Sequence, residues 1–226
     1  MPTEIAPIGP LVSVVTPVLN MAHTLRRAFE SLKKQTGRWQ HVIVDDGSTD
    51  ETPRVIAAIA RDPRVVHTRS TKRGIGAALN TAIDLATGDF VAFLDADDEY
   101  MPHHLSYHVA AMTEHPDVDI FWGGLEVIAD THDDMYVPNM DAGYGFISIH
   151  ECVTQGTMFI RRRVFEKVRF AEDKAYCHDY DFVQRAEGKF NVRQLHEPTY
   201  RYYRNTSASV VDRLKTNWPA QRPQAQ

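Results

Sequence analysis

Apolar residues recur along this chain with two periods, and the two alternate from residue 11 to about residue 128. Leu11 to Val18 (LVSVVTPV) is rich in β-branched residues and predicts a strand, closed by Asn20 as a turn or cap residue. From His23 to Thr36, Leu25, Ala28, Phe29 and Leu32 fall at i, i+3, i+4 and i+7. That spacing is one face of an amphipathic helix, and Gly37 stands just past its end. Trp39 to Val44 predicts the second strand, which stops at Asp45-Asp46-Gly47-Ser48-Thr49-Asp50. Pro53 suits the first turn of a helix whose inner side is Val55, Ile56 and Ile59. Val65 to Thr68 predicts a short third strand, followed by the basic turn Lys72-Arg73-Gly74-Ile75-Gly76. The helix after it buries Leu79, Ala82, Ile83 and Ala86 and ends at Gly88. Phe90 to Leu94 is an unbroken apolar run, short enough to be a strand covered on both faces. A helix from Pro102 to about His115 and a strand from Val118 to Ile128 follow. Strand alternating with helix four times over argues an α/β fold with a mostly parallel sheet and right-handed crossovers.

After residue 129 the rhythm breaks. Asp130 to Gly145 is polar, carries two glycines and a proline, and reads as a long loop of the kind that serves function. Val153 to Ile160 predicts a strand, Val164 to Val168 a helical turn, Tyr180 to Glu187 a helix and Val192 to Tyr203 a final extended segment. The closing RPQAQ has the composition of a disordered tail, and no internal repeat is visible.

Composition narrows the class. A chain of 226 residues suits one large α/β domain or a domain with an appendage, and 43% hydrophobic residues suffice for a sizeable core. The net charge of −5 leaves no overall basic field, so nucleic acid is not an expected partner. Cys152 and Cys177 lack metal-ligand spacing and read as reduced thiols of a cytoplasmic protein. The opening MPTEIAPIGP has no apolar core and is not a signal peptide; no apolar run approaches the ~20 residues that span a bilayer. Peripheral attachment to the inner face of a membrane stays compatible with this.

The chemistry collects where the strands end. Asp95, Ala96, Asp97 and Asp98 close the fourth strand, so a buried element delivers three carboxylates within four residues. Like charges this close raise one another's pKa unless a cation offsets them, and Mg²⁺ is held by one or two carboxylates plus substrate phosphates. A helix cap needs one carboxylate and does not account for three. In an open parallel sheet, ligands sit beyond the carboxyl ends of the strands. There this chain places Thr16, Pro17 and Asn20, then Asp45 and Asp46, then Lys72 and Arg73, then the acidic cluster. Acids, a hydroxyl and a basic pair fit a phosphate ester with a divalent metal. Asp46-Gly47-Ser48 reads equally well as a bare turn, and Arg73-Gly74-Ile75-Gly76 matches no full dinucleotide or P-loop fingerprint.

VSVVTPVLN, VIVDDGSTD, the Gly-containing turn with Asn80, and GDFVAFLDADD occur in the order typical of family 2 glycosyltransferases, which the chain resembles over about residues 11 to 205. The resemblance implies a GT-A fold: a Rossmann-like, mostly parallel sheet flanked by helices, with a smaller acceptor-side β region. It implies one domain over 1–226, with 11–128 as the nucleotide-sugar-binding half, 129–205 as the acceptor-side half and 206–226 as a tail. Thr16, Pro17 and Asp46 would line the base and ribose pocket, Asp46 facing the pyrimidine, with Asn20, Gly74 and Ala96 beside the same donor. Arg73 would lie near the pyrophosphate. Asp95 and Asp97 match the DxD motif, Asp97 as the direct ligand of Mn²⁺ or Mg²⁺ and Asp95 nearer the ribose.

On the acceptor side, Gly156 and Thr157, with Met158, Phe159, Arg161 and Arg162, resemble the family's acceptor strand. His178-Asp179 takes the place of its Glu-Asp motif, in which the Asp is the catalytic base. His178 is a departure. The Gln-x-x-Arg-Trp motif of processive members is absent, since Gln184 and Arg185 are adjacent, which favours transfer of a single sugar. Arg204-Asn205-Thr206 stands where many members have a metal-binding histidine, and His196 reads as structural.

The implied reaction is inverting transfer from a nucleoside-diphosphate sugar, UDP-linked by preference, to a hydroxyl of a saccharide or glycolipid, in cell-surface polysaccharide or glycoconjugate synthesis. Asp179 would take the acceptor proton. The rival readings are a phosphatase or phosphotransferase with Asp95 as nucleophile, a nucleotidyltransferase, and a non-catalytic nucleotide-sugar-binding module. The first expects its Asp on the first strand, not the fourth. The second wants a glycine-rich loop that VTPVLN is not.

Overall fold

The structure is a computed structural model that describes residues 9–140, 142–174, 177–204 and 210–219. Its strands are β1 (Leu11–Val18), β2 (Arg38–Asp45), β3 (Val65–Arg69), β4 (Phe90–Phe93), β5 (Glu99–Tyr100), β6 (Ile120–Trp122), β7 (Leu125–Ile128), β8 (Tyr136–Pro138), β9 (Phe146–Ser148), β10 (Phe159–Arg161), β11 (Val192–Gln194) and β12 (Tyr200–Tyr203). Its α-helices are α1 (Leu25–Lys33), α2 (Thr52–Ile59), α3 (Ile75–Leu85), α4 (His104–Glu114), α5 (His178–Glu187) and α6 (Val210–Asn217). Seven strands form one sheet in the order β11-β6-β10-β4-β1-β2-β3, in which β10 alone runs antiparallel to its neighbours. A smaller sheet pairs β12 with β5 and β7, and β8 pairs with β9 as a hairpin.

The strand period of two sorts the core onto the two faces of the large sheet. Val12, Val14, Ile43, Phe90 and Ala92 face one way and pack with Leu25, Ala28, Phe29 and Leu32 of α1. Val15, Val42, Val44, Val91 and Phe93 face the other way, against Ala78, Leu79, Ala82 and Ile83 of α3 and Phe182, Val183 and Ala186 of α5. Both faces are covered, which is why these strands read as continuous apolar runs rather than alternations. Among the described residues no helix is long and apolar enough to cross a membrane.

The second half departs from the sequence reading in specific places. Val118 to Ile128 is not one strand. Gly123 and Gly124, at φ +97° and +76°, turn the chain out of the large sheet after β6 and into the small one as β7. A Cβ on Gly124 would stand 2.1 Å from the Glu197 carbonyl oxygen, so glycine is required there on two counts. Val192 to Tyr203 splits the same way into β11 and β12, bound alongside by Leu195 N–H to Trp122 O and Thr199 N–H to Gly124 O. Within Val153 to Ile160, residues Gln155–Thr157 form a 3₁₀ turn before β10 begins. The stretch from Asp130 to Gly145 holds a 3₁₀ turn (His132–Met135) and β8, so it is not a bare loop. The expected helix at Pro102 begins at His104, and β5 and α6 were not expected. Asn205, Thr206 and the RPQAQ tail lie outside the described residues.

Candidate active site

The carboxyl ends of β1, β2 and β4 open on a cavity of about 890 Å³, closed on the far side by α5, the β8–β9 hairpin and α6. Beyond β1, Asn20 takes a positive φ of 55° and ties the first two strand ends together. Its N–H donates to Ser48 Oγ (2.9 Å) and its Oδ1 accepts from Thr49 N–H (2.8 Å). The paired acids after β2 divide the work. Asp45 Oδ1 accepts from the N–H groups of Gly47 (3.2 Å) and Ser48 (2.7 Å), making the turn that Asp-Gly-Ser chemistry predicts. That leaves Asp46 on the cavity wall, where its carboxylate accepts from Gly74 N–H at 3.0–3.1 Å.

Two expectations for this half need correction. Thr16 is wholly buried and lies beneath the cavity. Its hydroxyl donates to the Leu94 carbonyl (2.7 Å), so its oxygen is the acceptor toward His41 Nε2 (2.9 Å). Neither end of the hydroxyl is left for a ligand. Arg73 is not on the cavity wall either. Its Nη1 donates to the carbonyls of Asp46 (3.2 Å) and Gly47 (3.3 Å), bracing the turn that presents Asp46. Gly47 (φ +93°) leaves room for it, since a Cβ there would stand 2.6 Å from the guanidinium. Pro17, Asn20, Asp46, Gly74, Asp95, Ala96 and Asp97 all line the cavity.

The acidic cluster after β4 is also divided. Asp98 turns inward and is buried, accepting from the Tyr200 hydroxyl (2.8 Å) and Tyr203 N–H (2.8 Å). The Tyr200 hydroxyl in turn accepts from Asp95 N–H (3.2 Å), so one phenol fixes both ends of the Asp95–Asp98 turn. Asp95 and Asp97 face the cavity. Burial, then the charges of Asp97 and Asp179, push the Asp95 carboxyl up to about 8. Burial also raises Asp97, with Arg27 and His23 acting in the opposite direction. Arg27 holds the backbone here, donating to the Asp97 carbonyl, pairing with Glu99 and lying 3.8 Å over the Tyr203 ring.

On the opposite wall, His178 and Asp179 open helix α5. Asp179 Oδ1 accepts from Tyr180 N–H (2.9 Å) and Oδ2 from Gln155 N–H (3.2 Å). Gln155, which carries no charge or spacing signal in the sequence, ties the two walls together. Its Nε2 donates to Asp95 Oδ1 (2.8 Å), and its Oε1 accepts from His178 Nε2. Burial lowers the His178 pKa against the pull of Asp179, so the ring is held neutral. Gly156 and Thr157 sit behind this wall instead of on it. The Tyr200 ring packs so closely on Gly156 that a Cβ there would meet it at 2.1 Å. Thr157 donates to Thr154 O (2.8 Å) and accepts from Gly123 N–H (3.0 Å). His196 is exposed and away from the cavity.

Among the described residues no group of three His, Cys, Asp or Glu side chains is placed to hold a metal unaided. Asp95 and Asp97 nonetheless fit a hard divalent cation whose remaining ligands come from substrate phosphates. Burial first, and then repulsion from Asp97 and Asp179, raise Asp95, and such a cation would offset both. The described lining adds Asp46, Glu151, Asp179 and Glu187 and contains no Lys or Arg. A diphosphate entering this cavity finds acids and no fixed cation.

The sequence profile described as "Glycosyl transferase family 2" matches residues 13–169. The chain belongs to glycosyl transferase family 2. An uncharacterized glycosyltransferase of Rickettsia prowazekii is 29% identical over 184 residues, 76% of this chain and 57% of that protein. A PGL/p-HBAD biosynthesis glycosyltransferase of Mycobacterium bovis is 37% identical over 121 residues, 52% of this chain and 47% of that protein. The chain thus spans about half the length of these curated relatives. Among solved structures, TarS 1–349 of S. aureus in complex with UDP-GlcNAc superimposes with a TM-score of 0.70 at 21% identity, covering 88% of this chain and 61% of that one. A mannosyltransferase from Pyrobaculum calidifontis, in complex with GDP-Man and Mn²⁺, gives 0.68 at 22% identity, covering 89% and 60%. The fold of this family member is GT-A, with its large, mostly parallel sheet flanked by helices and a smaller sheet beside it. Membership removes the phosphatase and nucleotidyltransferase alternatives.

Proposed function

We propose that this chain transfers a single sugar from a nucleoside-diphosphate sugar, UDP-linked by preference, to an acceptor hydroxyl with inversion, on the cytoplasmic side of a cell-surface polysaccharide or glycoconjugate pathway. The observation that carries the reading is the cavity itself, with Asp46, Asp95 and Asp97 on its sheet wall and Asp179 on its helix wall. Asp46 orients the base, and a free lone pair of its carboxylate suits the N3–H of uracil, a donor that cytosine lacks. Asp97, with Asp95 beside it, would hold Mn²⁺ or Mg²⁺ for the diphosphate. The ion, when bound, neutralises charge on the departing phosphate.

The acceptor oxygen bonds to the anomeric carbon as the carbon–oxygen bond to the diphosphate breaks, the electron pair leaving with the nucleoside diphosphate. Asp179 takes the hydroxyl proton, and its two N–H donors hold the carboxylate in one orientation while it does so. The absence of the processive motif from the sequence supports one transfer per acceptor. A non-catalytic module on this fold would have no use for a carboxylate held across the cavity from the donor site.

The test is Asp179→Asn. A general base removed slows transfer on the order of 10²–10⁴-fold with UDP–Mn²⁺ affinity nearly that of the parent. A helix cap removed costs about 1 kcal/mol of stability and little rate. Turnover of a UDP-sugar by Asp179→Asn at the parent's rate overturns the assignment, and activity lost only in Asp181→Asn moves it to that residue.

A further inference from the structure

The two ends of the cavity differ in kind. The acids lie on the strand ends and on α5. The wall beyond them is built by β6, the β8–β9 hairpin with its flanks, and α6. It presents Trp122, Met140, Ile147, Val153, Val211 and Leu214, all half-buried and open to the cavity. Ile147 and Val211 pack on the core of one sheet face, Trp122 and Val153 on that of the other, so this wall is anchored on both sides. It adjoins the candidate base. Cys152, on the same wall, lies close enough for the Asp179 charge to add to the burial that pushes its thiol up to about 12.

Resting on the transferase reading, we infer that the acceptor is an uncharged molecule with an apolar aglycone, alkyl or aryl, next to the hydroxyl it offers. The aglycone lies on the wall of Trp122, Met140, Ile147, Val153, Val211 and Leu214, which sets the hydroxyl at Asp179. Two features argue for this chemistry. Apolar surface left open beside a catalytic carboxylate gains free energy only from an apolar group, at roughly 25 cal/mol per Å² removed from water. And a phosphate-bearing carrier is disfavoured, because the described lining offers an anion no Lys or Arg and sets Glu151, Asp179 and Glu187 around it. The cation the donor needs would be held at the other end, by Asp97.

Trp122 supplies the readout. The full chain, with and without UDP–Mn²⁺, is titrated with submicellar octyl β-D-glucopyranoside, phenyl β-D-glucopyranoside, methyl β-D-glucopyranoside and octyl phosphate, following tryptophan fluorescence. The expected result is saturable binding of the octyl or the phenyl glucoside at a concentration at least roughly tenfold below that of the methyl glucoside. Which of the two binds more tightly separates an alkyl from an aryl aglycone. Octyl phosphate binds no better than the methyl glucoside. The signal change is lost in Trp122→Phe. Leu214→Asp and Ile147→Asp, on separate elements, each weaken octyl or phenyl glucoside binding at least about tenfold and leave UDP–Mn²⁺ affinity at the parent's value. Equal binding of all three glucosides overturns the inference, as does octyl phosphate binding as tightly as the best glucoside. So does tight binding that survives both Asp substitutions. A parent protein that binds the apolar glucosides but no UDP–Mn²⁺ refutes the transferase reading instead, and leaves the apolar wall standing.

Discussion

A single amide at Gln155 decides how the two walls of the cavity face each other. Its NH₂ donates to Asp95 Oδ1 and its oxygen accepts from His178 Nε2. His178 therefore carries its proton on Nε2, and its Nδ1 has no protein partner among the described residues. Where the family places a carboxylate, this chain has a neutral ring and adds no charge to a site already crowded with acids. Removing the amide frees Asp95 and His178 together and leaves the backbone N–H of residue 155 on Asp179. Gln155→Ala is expected to lower kcat roughly 10- to 100-fold with a much smaller change in UDP affinity, since the lost contacts position groups and do not touch the base. Steady-state kinetics alongside UDP–Mn²⁺ titration checks the split; a loss confined to UDP affinity assigns Gln155 to the donor site instead.

At the scale of elements, helix α4 carries a buried aromatic and imidazole stack. Tyr100 stacks on His104 with ring centres 3.8 Å apart, and His108 stacks on Phe159 at 5.1 Å. His108 Nδ1 donates to the His104 carbonyl (2.9 Å), and the outer Nε2 atoms of both histidines have no partner among the described residues. Burial lowers both imidazoles, His108 to about 4, and lowers His41 under β1 to about 3. The sign follows from linkage. The unfolded chain takes up these protons near pH 6.5 and the folded one does not, so the stability these histidines contribute is complete above about 6.5 and falls as pH drops toward 4, while Asp95, raised to about 8, contributes in the opposite sense as pH falls below 8. His108 alone contributes on the order of 2–3 kcal/mol to that fall. Urea denaturation of both proteins at pH 7 and pH 5 is expected to show that His108→Phe, which keeps the stack, gains stability relative to the parent at the lower pH. A His108→Phe slope equal to the parent's means that the acid sensitivity lies elsewhere.

At the scale of the whole molecule, the chain gathers acids at one edge of the sheet and leaves the described cavity lining without a Lys or Arg. A divalent ion would supply the positive charge that the described lining does not offer a diphosphate. UDP is expected to raise the melting temperature of the parent with Mn²⁺ or Mg²⁺ present and barely without, by RT ln(1 + [L]/Kd) in free-energy terms. Asp97→Ala is expected to keep the fold and lose that gain. Metal-independent stabilisation by UDP in the parent would remove Asp97 from the metal site.

The sequence by itself determined the first half of the fold and the sheet edge on which the cavity opens. Strands from Leu11, Trp39, Val65 and Phe90 were legible because each is a local apolar run between Gly, Pro and Asp punctuation, and the acids at their ends follow from chain order alone. Tertiary structure decided which of those side chains reach the cavity. A one-residue change of direction separates Asp46 from Asp45, and Asp95 and Asp97 from the buried Asp98. Thr16 and Arg73 sit in motif positions yet spend their hydrogen bonds on backbone and His41, which no spacing rule reports. The second half was less legible because its strands are two to four residues long and change sheets at Gly123-Gly124 and after Gln194. Gln155 is neutral and local pattern says nothing of it. Its role, like the apolar wall shared by β6, β8, β9 and α6, exists only once segments remote in sequence are packed together.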